Sequence, residues 1–233
     1  MRVVILQPGY LPWLGFFDQM AAADIFVYYD DVQYDKHGWR NRNRIKTTSG
    51  PQWLSVPVRW KGLGWPSIKE VTIDNRSSWA RKHRQSLKTN YSKARFFDYL
   101  FPDLERLLLQ EWRWLLELDV AATAVLLNKL GLKRNILFAS DLDVVGEKSE
   151  RLLNICLALG AKTYLSGAAA RDYLDISLFQ RHGLQVEFQD YRHPVYPQLF
   201  GDFVSHLSVV DLIFNCGPQS LAILTNSSAR PRP

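Results

Sequence analysis

Several stretches of this sequence carry side chains able to bind or transform a charged ligand. The densest is Lys36-His37-Gly38-Trp39-Arg40-Asn41-Arg42-Asn43-Arg44-Ile45-Lys46. Residues two apart share a face in an extended chain, so Arg40, Arg42, Arg44 and Lys46 are expected to line one side. Arginine suits phosphate because its planar fork donates two parallel hydrogen bonds. Trp39 and Asn41 would add a stacking plane and an amide. A solvated basic edge strand has the same alternation. Just upstream, Asp30-Asp31-Val32-Gln33 follows an apolar run. Either carboxylate could take a proton from an amine, hold a divalent ion or bind a ribose hydroxyl. A turn cap would use the same pair.

Gln7-Pro8-Gly9-Tyr10-Leu11-Pro12-Trp13-Leu14-Gly15-Phe16 stands where a first strand would hand over to a first helix. Ligands of parallel α/β sheets bind outside the carboxyl ends of strands, often on helix N-termini. Gln7 offers an amide there, and Tyr10 or Trp13 a ring, unless those aromatics are ordinary core. His83, in a basic helical stretch, could act as acid or base, or simply be exposed. Ser166-Gly167 forms a small polar turn at another strand end, outside any G-x-S-x-G context. Asp211 and Asn215, four apart, share one helix face. His37, His182, His193 and His206 lack metal-ligand spacing. Neither G-x-x-x-x-G-K-[ST] nor G-x-G-x-x-G occurs, so phosphate-loop and dinucleotide fingerprints are missing.

The elements that must position these residues follow from hydrophobic periodicity. Val3–Leu6, a helix opened by Pro12 and carrying Phe16, Phe17, Met20 and Ala21, and a strand at Ile25–Tyr29 form a βαβ unit. Trp53–Val58 and Ile68–Ile73 read as two strands, a hairpin with Lys61-Gly62-Leu63-Gly64 in its loop. Helices are expected over Trp79–Lys88 after Ser77-Ser78, Arg95–Leu109, Glu111–Leu130 ending at Gly131, and Glu147–Leu159 ending at Gly160. Asn135–Phe138, Thr163–Leu165 and Leu184–Phe188 read as strands, and Val209–Phe214 as a last helix or turn. The expected fold is α/β, a partly parallel sheet with a Rossmann-like N-terminal βαβ unit and flanking helices. It would be one domain over residues 1–225, with a basic insertion at about 30–95 and a helical segment at about 95–131, then a flexible tail at 226–233.

Composition narrows the class. Hydrophobic residues make up 47% and charged residues 22% of the 233, enough for a packed core. Residues 1–95 hold 16 Lys and Arg against 7 Asp and Glu, and the remainder 13 against 16. Such asymmetry marks a face that meets an anion. No run of about 18 apolar residues could span a membrane, and the N-terminal apolar stretch is too short for a signal peptide. Cys156 and Cys216 are the only cysteines. Cys156 lies in an apolar helical pattern as a core residue, and no disulfide framework is possible. A reduced, cytoplasmic protein is expected.

These segments together resemble the WbqC-like family of bacterial proteins. The resemblance rests on Gln7 to Phe17, Asp30-Asp31-Val32-Gln33-Tyr34, Trp39-Arg40-Asn41-Arg42-Asn43, Trp53 to Val58, Tyr164-Leu165-Ser166-Gly167 and Leu207 to Asn215, in that order along nearly the whole chain. Family members are found with O-antigen and other lipopolysaccharide gene sets. They look like enzymes that decorate a nucleotide-linked amino sugar, with an aminoacyl group such as glycyl. The resemblance implies a transferase acting on an amine and a phosphate-bearing small molecule. Arg40, Arg42 and Arg44 would hold phosphate, Asp30 or Asp31 would orient or deprotonate the amine, and Gln7, Tyr10 and Trp13 would shape the pocket. Three other readings stay open: a nucleic-acid binder or base modifier using the basic half with its Trp and Tyr, an ATP-dependent ligase of nucleotidyltransferase-like type, and a non-catalytic partner of a biosynthetic complex using exposed aromatics. The ligase-type His-x-x-His signature is absent from Pro12-Trp13-Leu14-Gly15. Cofactor, metal and oligomeric state are not specified by the sequence.

Overall fold

The computed structural model describes residues 1–36, 38–59 and 64–226. Its centre is a five-stranded, all-parallel sheet of β1 (Arg2–Leu6), β2 (Ile25–Tyr28), β7 (Asn135–Phe138), β8 (Thr163–Ser166) and β9 (Gln185–Phe188), in spatial order β7-β2-β1-β8-β9. The apolar run of β1 suits a strand covered on both faces. Val4 packs into one core, while Val3 and Ile5 pack into the other. α1 (Leu14–Ala22) connects β1 to β2 on the Val4 side, with Phe16, Phe17 and Met20 against Phe26. α5 (Lys148–Ala158) and α6 (Ile176–Arg181) connect β7 to β8 and β8 to β9 on the opposite side, through Leu153, Cys156 and Phe179. Crossovers of one hand must change face when strand order reverses, and the reversal falls between β1 and β8.

Between β2 and β7 runs the basic insertion. It holds two antiparallel pairs, β3 (Arg42–Thr47) with β4 (Gly50–Ser55), and β5 (Val58–Arg59) with β6 (Thr72–Ile73). Of the expected hairpin of Trp53–Val58 with Ile68–Ile73, the far ends pair as expected, Val58 with Ile73, and the remainder is corrected. Leu54 pairs back onto Asn43, and Ile68–Glu70 is a 3-10 turn held by a Ser67–Glu70 capping box. Lys61, Gly62 and Leu63 of the expected loop lie outside the described residues. α2 (Trp79–Tyr91), α3 (Phe97–Leu109) and α4 (Leu115–Leu130) follow. α4 starts four residues later than its apolar pattern suggests. Residues 111–114 stay extended because Ile73 N–H donates to Arg113 O and Leu115 N–H to Val71 O. α6, α7 (Val209–Cys216) and α8 (Ser220–Asn226) complete the set; α6 and α8 are short and escape a periodicity reading. The tail expected to fray at 226–233 lies outside the described residues, except Asn226, which ends α8. Both cysteines are free and buried. No helix among the described residues is long and apolar enough to cross a membrane.

One buried polar cluster ties the insertion to α7. The Asp211 carboxylate accepts hydrogen bonds from Tyr91 OH (2.7 Å), Tyr196 OH (2.9 Å) and Gln198 Nε2 (2.8 Å). Lys46, the fourth cation of the basic row, is 2% exposed and donates through Nζ to Gln198 Oε1 at 3.1 Å, while its main-chain N–H donates to the Tyr91 hydroxyl at 3.0 Å. Burial raises the Asp211 pKa, and the three donors and Lys46 oppose that rise. Removing the acceptor strands three buried donors, each worth about 1–3 kcal/mol when left unsatisfied. Asp211→Ala is therefore expected to lower stability in urea unfolding by about 3 kcal/mol or more; a loss below about 1 kcal/mol would contradict this role.

Candidate functional site

The strand-order reversal leaves a cavity of about 710 Å³ beside the carboxyl ends of β1 and β8. That volume lies within the range of small-molecule sites. Its wall includes Gln7, Gly9 and Trp13 from the loop after β1, Ser166 and Gly167 after β8, Trp39, Arg40 and Asn43 from the insertion, and Lys148 and Ser149 at the start of α5. Tyr29, Tyr164, Tyr173, Gln19 and His206 complete the polar and aromatic lining, and among the described residues no Asp or Glu belongs to it. The lining also includes apolar side chains of Ile5, Leu6, Phe16 and Leu152.

Backbone proximity makes this wall. Tyr10 N–H donates to Arg40 O at 2.9 Å, Arg40 Nη1 to Pro8 O at 3.0 Å, and Asn43 Nδ2 to Leu11 O at 2.8 Å. A Cβ on Gly9 would lie 2.9 Å from Trp39 O, so only glycine lets the two loops approach this closely. A Cβ on Gly15 would sit 2.3 Å from the Trp13 ring, and its absence lets Trp13 fold over the start of α1. Trp13 stacks on His206 with ring centres 5.7 Å apart and an 18° tilt.

Of the residues singled out in the sequence, Gln7, Trp13, Trp39, Arg40, Ser166 and Gly167 come together here. The others do not line the cavity, each for a visible reason. Asp30 is buried with its carboxylate taken by Ser140, from the main-chain N–H at 3.1 Å and Oγ at 2.7 Å. Asp31 pairs with Arg151, whose guanidinium lies 5.7 Å from the Tyr29 ring centre. Arg42 and Arg44 turn to an exposed aromatic platform. Arg42 lies 4.6 Å from the Trp53 ring centre, Arg44 lies 5.6 Å from those of Trp39 and Trp53, and Arg44 Nη2 donates to His206 O. The four-cation face expected of an extended strand therefore divides, with Arg40 in the cavity, Arg42 and Arg44 on the platform, and Lys46 buried. Asn41 ties the hairpin together, Nδ2 donating to Val56 O at 2.7 Å. Asp211 serves the buried cluster, and Asn215 Nδ2 donates to the Asp211 main-chain oxygen at 2.7 Å. His37 lies outside the described residues.

Tyr10 and His83 form core rather than site. Tyr10 is fully buried, and its hydroxyl lies 3.0 Å from His83 Nδ1. His83 is 5% exposed, edge-on to Trp79, and burial pushes its pKa down to about 4. Lys148, Ser149, Gln19 and Tyr173 were not legible as site residues, and His206 was seen only as a histidine without metal spacing. One signal was the helix start at Glu147-Lys148, since helix N-termini collect anions. Behind Arg40 lies Asp119, fully buried with neither carboxyl oxygen hydrogen-bonded. Burial raises its pKa well above the usual carboxylate range, and Arg40 pulls the other way. No cluster of three or more His, Cys, Asp or Glu among the described residues is arranged to hold a metal ion.

The lowered His83 pKa has a definite sign. The unfolded chain takes up a proton near pH 6.5 that the folded chain refuses until about pH 4, so stability is whole above pH 6.5 and falls as pH drops through that window. Urea unfolding between pH 7 and pH 4 should show a decline of up to about 3 kcal/mol from this one group. The His83→Gln variant should lack that component; an unchanged pH slope would contradict a buried neutral imidazole.

The chain is 38% identical over 221 residues to "Uncharacterized protein Rv1507c" of Mycobacterium tuberculosis, covering 94% of this chain and 95% of that protein. No solved structure matches it. Residues 7–223 match the WbqC-like protein family, from the glutamine directly after the first strand to the last helix. By that match, which spans nearly the whole chain, this protein belongs to the WbqC-like family.

Proposed function

We propose that the protein is a transferase that acylates the amine of a phosphate-bearing substrate, in the aminoacyl (glycyl) decoration of nucleotide-linked amino sugars for surface polysaccharide. One observation carries this reading: a cavity at the sheet's strand-order reversal lined by Arg40, Lys148 and His206 and, among the described residues, by no carboxylate. Such a lining favours an anion, and the first turn of α5 adds unpaired N–H groups and the positive end of a helix dipole. Trp13, Trp39, Tyr29 and Tyr173 offer flat faces for a base or sugar. In the proposed step the amine nitrogen attacks the carbonyl carbon of an activated aminoacyl ester. The new C–N bond forms, the C–O bond to the donor breaks, and the amine proton leaves to a base. Asp30 and Asp31 are engaged elsewhere, so the reading assigns the base to His206, whose Nδ1 lies 2.8 Å from Ser205 Oγ. Arg40 and Lys148 would offset phosphate charge.

Calorimetric titration tests the binding part. Uridine diphosphate is expected to bind the wild-type chain and uridine to bind at least about tenfold more weakly, with Lys148→Ala losing about tenfold for the diphosphate and little for uridine. Equal affinity for nucleoside and nucleotide, or an unaffected Lys148→Ala, would end this reading. Asp30→Ala, in contrast, is expected to lower the melting temperature through the loss of the Ser140 contacts, with diphosphate affinity kept.

A second reading rests on the aromatic platform at the cavity's edge, which shares Trp39 with its wall. Trp39 and Trp53 are 44% and 42% exposed, with ring centres 5.0 Å apart, and two guanidinium groups lie against them. Aromatic planes beside cations are how unpaired nucleic-acid strands are held. On this reading a short single-stranded oligonucleotide quenches tryptophan fluorescence at low salt, with affinity falling steeply as salt rises. No quenching at low salt would dismiss it.

A further inference from the structure

One buried amide chain in the cavity wall has its polarity set. Gln189, directly after β9, is 4% exposed, and its Nε2 lies 2.9 Å from the Gly15 main-chain oxygen and 2.6 Å from Asp18 Oδ2. A main-chain carbonyl only accepts, so this end of the Gln189 amide is its NH2 group and the far end its oxygen. That oxygen accepts from Gln19 Nε2 at 2.8 Å. The Gln19 amide is thereby oriented as well, and its Oε1 is left over. Gln19 is 4% exposed and forms part of the cavity wall, and its Oε1 is shielded with no hydrogen-bond partner among the described residues. Turning the Gln19 amide over would set two carbonyl oxygens against each other at Gln189, so the chain of amides cannot relieve this by itself.

We propose that Gln19 Oε1 reads a hydrogen-bond donor on the ligand, an amine N–H or a sugar hydroxyl, and that Gln189 is the positioning residue that keeps it an acceptor. The inference rests on the reading of the cavity as a site for a phosphate-bearing substrate and adds a requirement that the basic residues do not impose. Arg40 and Lys148 are donors suited to an anion. Two other polar groups of the wall are already engaged: Asn43 Oδ1 accepts from Arg44 N–H at 2.8 Å, and the Ser166 hydroxyl donates to the Tyr164 oxygen at 3.3 Å. A ligand donor that meets Gln19 relieves a buried unsatisfied acceptor, whereas a deoxy ligand leaves it stranded, and such a site rejects the analogue lacking the donor.

The experiment is a calorimetric comparison on the full chain of uridine diphosphate and its glucosamine, glucose and 2-deoxyglucose conjugates. The wild-type protein is expected to bind the amino or hydroxyl conjugate about tenfold more tightly than the deoxy conjugate. Gln19→Leu should bring all three conjugates to within about threefold of one another. Gln189→Leu, which frees the Gln19 amide to turn, should reduce the preference in the same way although Gln19 is intact. Equal wild-type affinity for the three conjugates overturns the inference, as does a preference that survives Gln19→Leu. If Gln19→Leu does not fold, the wild-type ratio and Gln189→Leu decide. Should uridine diphosphate itself fail to bind, the cavity reading falls and takes this inference with it; if it binds without discrimination among conjugates, this inference alone falls.

Discussion

The cavity depends on a clamp between two loops that are distant in sequence. The turn after β1 and residues 40–43, which lead into and begin β3, exchange three hydrogen bonds, two of them from the side chains of Arg40 and Asn43 to main-chain oxygens of the turn. The clamp needs bare backbone at Gly9, where a methyl group would strike Trp39 O. It puts Arg40 in the wall instead of in solvent, and it fixes the basic insertion against the sheet. Without it the carboxyl ends of β1 and β8 would still form a crevice, because parallel strands with reversed order leave one. That crevice would lack the side that carries Arg40, Asn43 and Trp39.

Charge in this molecule is sorted more finely than the sequence suggests. A row of cations at alternate positions divides into three environments, because Arg40 precedes the strand and Lys46 meets the 198–202 loop. Arg42 and Arg44 keep their places beside two indoles, where guanidinium planes gain from the ring face. The acid pair is divided as well, one carboxylate closing the turn at Ser140 and the other pairing with α5 through Arg151. What remains in the cavity is a positive, aromatic lining assembled from six separate stretches of chain.

The sheet was legible because β1, β2 and β7 to β9 are short apolar runs bounded by polar or glycine-rich turns, and such runs have few other uses in a buried sheet. The partly mispaired hairpin shows the limit. Strand pattern does not name the partner: Leu54 turns back onto Asn43 across the tight Thr47–Gly50 turn, and only Val58 reaches Ile73. The same holds for the site. Gln7, Trp13, Ser166 and Gly167 stood out because strand ends announce themselves, whereas Gln19 on the inner face of α1 reads as one polar residue in a helix. Tyr10 and His83 misled because each has a functional side chain whose partner is the other, and a pair 73 positions apart is invisible until the chain folds.

Two residues of the cavity wall, Lys148 and His206, hold φ at 49° and 58° without being glycine. L-residues occupy that left-handed region at a cost of about 1–3 kcal/mol. Selection for a sturdier fold would replace both with glycine and lose an ammonium and an imidazole from the wall. Conformational ease is thus set against local chemistry at two points of one small surface.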